Sequence, residues 1–212
     1  MFSYVSPRLS WLRKNVRGKI ILDIGFVGAY ETPSAHLAVR QENPGSTVVG
    51  IDIVRKKVLH YEIPGSIVGS GFLLPIKPNA VDTVVLGEIL EHVSNWNDLL
   101  EESVRVLRKN GALIVTTPNP FGVFRFLRYW LLAPNPQNAK NLKSYFGASD
   151  HMHFIEPLSL LRALTKLNLK PAVITTTNLS VPYIPKLFKD PDWSFWPLTR
   201  LGTYTCIKAV KR

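Results

Sequence analysis

The sequence predicts a doubly wound α/β domain: a mostly parallel sheet covered by helices on both faces. Three observations predict it. Short, compact apolar runs recur along the chain, segments with helical apolar spacing alternate with them, and the first two runs each end in an acid at a loop.

Taking the elements in order, Pro7 to Val16 reads as a short basic helix. Lys19-Ile20-Ile21-Leu22-Asp23 is a buried strand entering a loop at Gly25. Thr32-Pro33 offers a hydroxyl N-cap and a proline at the first helical position, with Ala35, Ala38 and Val39 forming the apolar face. Ser46 to Asp52 is the second strand, a helical turn follows near Arg55 to Leu59, and Ser66-Ile67-Val68 is the third strand. Val81 to Leu86 is the fourth. Trp96, Leu99, Leu100, Ser103, Val104 and Leu107 then fall on one helical face, which Gly111 is expected to end as a left-handed cap. Ala112 to Thr116 is a fifth strand, stopped by Pro118.

From Asn119 to Asp150 the pattern breaks into an aromatic and basic insertion, read as a lid within a single domain, 1–212. A helix restarts at Pro157 with Leu158, Leu161 and Leu164 inward. Ala172 to Thr176 and Thr203 to Val210 form a closing hairpin, joined by a long aromatic loop that holds Tyr183, Phe188, Trp193, Phe195 and Trp196. This makes seven strands in all.

Across 212 residues, 26 Lys plus Arg against 15 Asp plus Glu leave a formal charge of +11. Such a balance suits polyanionic or anionic-surface partners without selecting one. With 46% hydrophobic and 19% charged residues the chain has material for a packed core, which excludes disorder, collagen and coiled coil. Cys206 is the only cysteine, so neither an intrachain disulfide nor a cysteine-based zinc site can be built from it, and a reducing, cytoplasmic compartment is expected. No uncharged apolar run reaches the roughly 20 residues that cross a bilayer. Arg8, Arg13, Lys14, Arg17 and Lys19 interrupt any amino-terminal signal.

Ligands of open α/β sheets bind at the carboxyl ends of the strands. Gly25 and Gly28 let the backbone approach a ligand, and Asp52 ends the second strand where a carboxylate can accept both hydroxyls of a ribose. The loop Gly25-Phe26-Val27-Gly28-Ala29-Tyr30-Glu31 lacks the glycine spacing of a dinucleotide site, and Glu31 would repel a pyrophosphate. An acid on the first strand, Asp23, instead suits a cofactor with a positive amino group, which favours S-adenosylmethionine over NAD.

Ordered blocks from Leu22 to Pro120 resemble the class I S-adenosylmethionine-dependent methyltransferases, in particular the ubiquinone and menaquinone biosynthesis type (methyltransferase type 11). They are Leu22-Asp23-Ile24-Gly25, Gly50-Ile51-Asp52, Leu74-Pro75-Ile76, Val81 through Val93, Arg105 through Ala112, and Thr116-Thr117-Pro118-Asn119-Pro120. The resemblance implies a seven-stranded Rossmann-like sheet and S-adenosylmethionine as cofactor. It implies Asp23, Gly25 and Gly28 at the methionine end, Asp52 on the ribose and Ser70-Gly71-Phe72 beside the adenine, with Glu88 among the cofactor-binding residues. Two positions depart from the family pattern: Val27 stands where a second glycine is usual, and Ser70 where an acid is common.

Methyl transfer from a sulfonium is an in-line displacement, so positioning supplies much of the rate and a base is needed only where the acceptor loses a proton. His151 and His153 are the candidate bases, on one side of an extended segment with Met152 on the other and Asp150 alongside. Glu88, Glu91 and His92, at i, i+3 and i+4, have a spacing that a divalent metal accepts on a helix, yet the run is also the ordinary connection after the fourth strand, and no metal is assigned. His36 and His60 read as surface or packing residues.

The insertion carries the hint about the acceptor. Phe121, Phe124, Phe126, Tyr129 and Trp130 surround Arg125 and Arg128, followed by Lys140 and Lys143 without an acid. Residues 121–143 therefore suit peripheral contact with an anionic membrane, a lid over a lipid-linked or phosphorylated acceptor, or a grip on nucleic acid.

The favoured expectation is methylation of a small or lipid-linked acceptor, glycan-like or quinone-like, with oxygen as the favoured atom. An RNA methyltransferase is the second reading, set back because Thr117-Pro118-Asn119-Pro120 is not the signature of base-nitrogen methylation. A non-catalytic module with a decayed cofactor site is the third, motivated by Val27 and Ser70. The charge excess is expected at the acceptor side, in the amino-terminal helix and the insertion.

Overall fold

The computed structural model describes residues 6–28, 33–122, 151–177 and 200–212. Helix α1 (Pro7–Asn15) starts where Ser6 Oγ accepts the Leu9 N–H at 3.2 Å and Pro7 takes the first turn, and it buries Trp11 and Leu12. The seven strands are β1 (Ile20–Ile24), β2 (Thr47–Asp52), β3 (Ser66–Val68), β4 (Val81–Gly87), β5 (Leu107–Pro118), β6 (Leu169–Thr177) and β7 (Tyr204–Lys211). Between them lie α2 (Ser34–Glu42), α3 (Arg55–Tyr61), a short 3-10 turn (Leu90–His92), α4 (Trp96–Val106) and α5 (Pro157–Lys166).

One sheet has the order β3-β2-β1-β4-β5-β7-β6. The first five strands are parallel, and β7 runs antiparallel to both β5 and β6. The chain moves outward from β1 to β3 and then returns to β4 on the other side of β1. The carboxyl ends of β1 and β4 therefore flank the switch point at which such sheets bind ligands.

Alternate residues of the central strands feed two cores, as the period of two demands. Leu22, Ile24, Val84, Leu86, Leu113 and Val115 pack with Leu99 and Leu100 of α4 and with Leu160 and Leu164 of α5. Ile21, Val48, Val85, Ile114 and Cys206 face Trp11 and Leu12 of α1 and Val39 of α2.

Four local expectations are corrected. Pro33 precedes the helix at its cap position, and α2 begins at Ser34; Thr32 lies outside the described residues. Gly111 does not cap α4, which ends at Val106 and passes directly into β5, and the left-handed residue of that passage is Asn110, at φ 62. On α5 the buried stripe is Leu160 and Leu164, while Leu158 is 63% exposed, because the stripe begins one turn later than the proline. His36 is neither a surface nor an ordinary packing residue: it is wholly buried and bonded to an acid. The late aromatic loop and most of the insertion, residues 123–150, lie outside the described residues. Among the described residues no helix is long and apolar enough to cross a membrane.

Candidate cofactor and acceptor site

A cavity of about 450 Å³ opens at the switch point, lined by Gly25, Gly28, Asp52, Ser70, Gly71, Phe72, Glu88 and His92 among others. Gly25 stands at φ 74 with its N–H on the Ile51 carbonyl at 2.8 Å, and a Cβ there would lie 2.5 Å from Ile89 Cδ1. Gly28, at φ 63, has no atom of the described residues within 4 Å of where a Cβ would be. Phe26 lies over Gly50, and Val27 is buried with Val58 beneath the loop. The Val27 side chain thus faces the core and does not fill the cavity, so this departure from the family pattern leaves the cradle open.

Asp52 holds the loop and the cavity together. Its Oδ2 accepts the Val27 N–H at 3.2 Å and its Oδ1 accepts the Val54 N–H at 2.9 Å. Each carboxylate oxygen has a second lone pair, so both stay available to hydroxyl donors. Lys57 lines the same cavity and donates to the Gly28 carbonyl at 3.0 Å. Ser70 Oγ accepts the Phe72 N–H at 3.2 Å, which fixes the turn beside the expected adenine.

Asp23 is placed differently from the expectation. It is not among the residues that line the cavity, and its Oδ2 lies 3.0 Å from Nδ1 of the buried His36. The acid beneath the glycine loop is thereby taken up by α2.

Glu88 does line the cavity, at the end of β4 with φ 58, and its N–H is held by the Thr116 carbonyl at 2.8 Å. Its carboxylate pairs with Arg8 of α1 at 3.1 Å, and the Arg8 guanidinium also sits 5.6 Å from the centre of the Tyr204 ring. Sequence reasoning missed the site roles of Arg8, His36 and Lys57. Each meets its partner through the tertiary fold, and no local motif marks them.

The carbonyl of Glu91 accepts the N–H groups of Met152 and His153 at 2.7 and 3.3 Å, pinning the segment that follows the insertion to the connection after β4. That seats the His151 ring edge-on to His92, with centroids 4.7 Å apart, while Met152 points out at 55% exposure. His153 has a buried Nε2 with no hydrogen-bond partner among the described residues. Asp150 lies outside the described residues.

The Glu91 carboxyl is almost fully buried, with one oxygen receiving the Thr117 hydroxyl at 3.1 Å and the other without a hydrogen-bond partner among the described residues. Burial, reinforced by the neighbouring Glu88, pushes its pKa up to about 8. The expected trio of Glu88, Glu91 and His92 does not share a helical face, because Glu88 is left-handed and only Leu90–His92 form a turn. The donors that gather are Glu91, His92 and His151, with one atom of each within 4.8 Å of the others. Asn119 is buried and spends its amide on the carbonyls of Arg200 and Gly202 at 2.9 and 2.7 Å. It anchors the start of the insertion.

The residues fit a nucleoside cofactor carrying a charged amino-acid arm: a glycine-lined cradle, an acid at the end of β2 and a second carboxylate at the end of β4. Residues 22–115 match the family described as "Methyltransferase domain". A ubiquinone biosynthesis O-methyltransferase of Thiobacillus denitrificans is 28% identical over 207 residues, spanning 91% of this chain and 84% of that protein. Among solved structures, an S-adenosylmethionine-dependent methyltransferase of Thermotoga maritima, described as a possible histamine N-methyltransferase, superimposes with a TM-score of 0.69 at 17% identity, covering 100% of this chain and 90% of that one. The magnesium protoporphyrin IX methyltransferase of Synechocystis, solved with bound SAH, gives 0.62 at 17% identity over 97% and 80% of the two chains.

Proposed function

Because this chain is a class I S-adenosylmethionine-dependent methyltransferase of the type 11 group, we propose that it methylates a hydroxyl oxygen of a small or lipid-linked acceptor, glycan-like or quinone-like. His151 is the base that takes the hydroxyl proton. The observation that carries this reading is the edge-on contact of His151 with His92, a residue of the cofactor cavity. The relatives named ubiquinone biosynthesis O-methyltransferase favour oxygen as the methylated atom. The alternative of a non-catalytic module is set aside.

The cofactor supplies a methyl group already activated on a sulfonium. Asp52 holds the ribose hydroxyls, Ser70, Gly71 and Phe72 flank the adenine, Gly25 and Gly28 admit the chain close to the ligand, and Glu88 faces the methionine end. Asp23 acts from beneath the loop, through its bond to His36. His151 would take the acceptor's hydroxyl proton at a ring nitrogen, leaving the oxygen able to receive the methyl group that a bound cofactor would supply. His153 is the second candidate, on the same pinned segment. Residues 121–143 supply the contact with an anionic membrane.

Replacing His151 by Ala is expected to lower kcat by about 100-fold or more with cofactor affinity intact by calorimetry, and unchanged turnover would remove it as the base. The same measurement on His153→Ala decides between the two rings. Replacing Arg125 and Arg128 together by Ala should weaken liposome binding; equal partitioning would remove the membrane contact.

A further inference from the structure

We propose that the amino-terminal rim of the sheet, at the end of the molecule opposite the cofactor cavity, binds the phosphate backbone of a nucleic acid. Six exposed cations meet there. Lys19 immediately precedes β1. Arg108 and Lys109 lie in β5 between Leu107, opposite Val81, and Ala112, opposite Thr83. Lys166 ends α5, Lys170 opens β6 opposite Val210, and Arg212 follows β7 with its N–H on the Asn168 carbonyl at 3.1 Å. All six side chains belong to exposed residues.

Among the described residues, the acids at this end pair with one of the six, Arg108, and leave the other five. Asp82 is 6% exposed; its Oδ2 accepts the N–H groups of Lys19 and Ile20 at 2.6 and 2.9 Å, and its Oδ1 pairs with Arg108 at 2.6 Å. Glu42 pairs with Arg13 at 3.8 Å, and Glu62 lies beyond β2 at the far edge. The dipole of a helix carboxyl end explains Lys166. It does not explain Lys19, Lys109, Lys170 and Arg212, the four left when Arg108 is set against Asp82, which stand on strands or loops.

The geometry suits a backbone ligand. From β1 across β4, β5 and β7 to β6 the rim spans about 19 Å at about 4.8 Å per strand, or about five nucleotide steps of about 3.4 Å. Among the described residues, Ile20 is the large apolar side chain exposed here, and no aromatic is available to stack on a base or to insert into a bilayer. Binding is therefore to phosphates and independent of sequence. A membrane docked on this rim would turn the cavity away from the lipid, which does not serve a lipid-linked acceptor. The length of β4, about 20 Å at about 3.3 Å per residue, separates rim from cavity. The nucleic acid is thus a partner that holds the enzyme, distinct from the methyl acceptor.

Fluorescence anisotropy with labelled single-stranded and duplex RNA of mixed sequence, alongside co-sedimentation with phosphatidylserine–phosphatidylcholine vesicles, tests this. The expected result is RNA binding that ignores sequence and falls at least about 100-fold between about 50 and 200 mM salt. The triple change Lys109→Glu, Lys170→Glu and Arg212→Glu should weaken it at least about 10-fold while leaving cofactor affinity, read by calorimetry, unchanged. Should that variant fail to bind cofactor, the milder pair Lys170→Gln and Arg212→Gln replaces it, with an expected loss of about 3-fold. No RNA binding, RNA binding indifferent to these changes, or rim variants that lose vesicle binding in place of RNA binding would each overturn the proposal.

Discussion

Nδ1 of His36 lies 3.0 Å from Oδ2 of Asp23, and both side chains are buried. The contact joins α2 to the end of β1 directly beneath the glycine loop. A carboxylate with no access to water depends on that donor, so His36→Leu, which removes it, is expected to cost about 3 kcal/mol or more of unfolding free energy. His36→Asn keeps a donor near the Nδ1 position and should cost less. Urea unfolding followed by circular dichroism compares the two; equal stabilities would show that the contact does not hold the loop.

The two glycines of the loop should answer differently to the same change. Both sit at positive φ, where a side chain costs about 1 to 2 kcal/mol. A Cβ on Gly25 would also meet Ile89 at 2.5 Å, whereas one on Gly28 meets nothing within 4 Å among the described residues. Gly25→Ala should therefore drive Ile89 into the cavity, losing stability and at least about 10-fold in cofactor affinity. Gly28→Ala should lose affinity with the smaller loss of stability. Calorimetry with S-adenosylmethionine and thermal unfolding of both variants check the contrast.

The strands and most helices are legible in the sequence because their apolar runs carry the period of the element they form, as at Val81–Gly87 and in α4. Asp52, Gly25 and Gly28 are legible because a parallel sheet gathers the ends of its strands. His36 is not: its partner lies across a strand, a loop and a helix, and nothing in the local pattern marks it. Arg8 bonds a threonine 108 positions away. The trio at Glu88, Glu91 and His92 misleads because its spacing fits a helix, whereas the backbone turns left-handed at Glu88.

Asp52 joins two functions in one carboxylate, since the oxygens that face the cavity also hold the N–H groups of Val27 and Val54. Asp52→Ala should weaken S-adenosylmethionine and its demethylated product by the same factor, at least about 10-fold, because neither the ribose contact nor the loop senses the sulfonium. Calorimetric titration with both ligands checks this. A loss confined to one of them would place Asp52 near the sulfur and away from the ribose.

Glu91 should give the fold a distinctive pH dependence. Its carboxyl titrates at 4.5 when solvated and at about 8 when folded, so between these values the unfolded chain has released a proton that the native state still binds. Raising the pH through this window therefore favours unfolding, by roughly 5 kcal/mol in total at about 1.4 kcal/mol per unit. Below about pH 4.5 both states are protonated and the penalty is absent. Glu91→Gln is isosteric with the neutral acid and can still bond to the Thr117 hydroxyl, so it should escape the loss. Urea unfolding of both proteins at about pH 5 and pH 8 should show the variant gaining on the wild type as the pH rises. Parallel curves would mean that Glu91 ionises near its ordinary value and that its burial is relieved in solution.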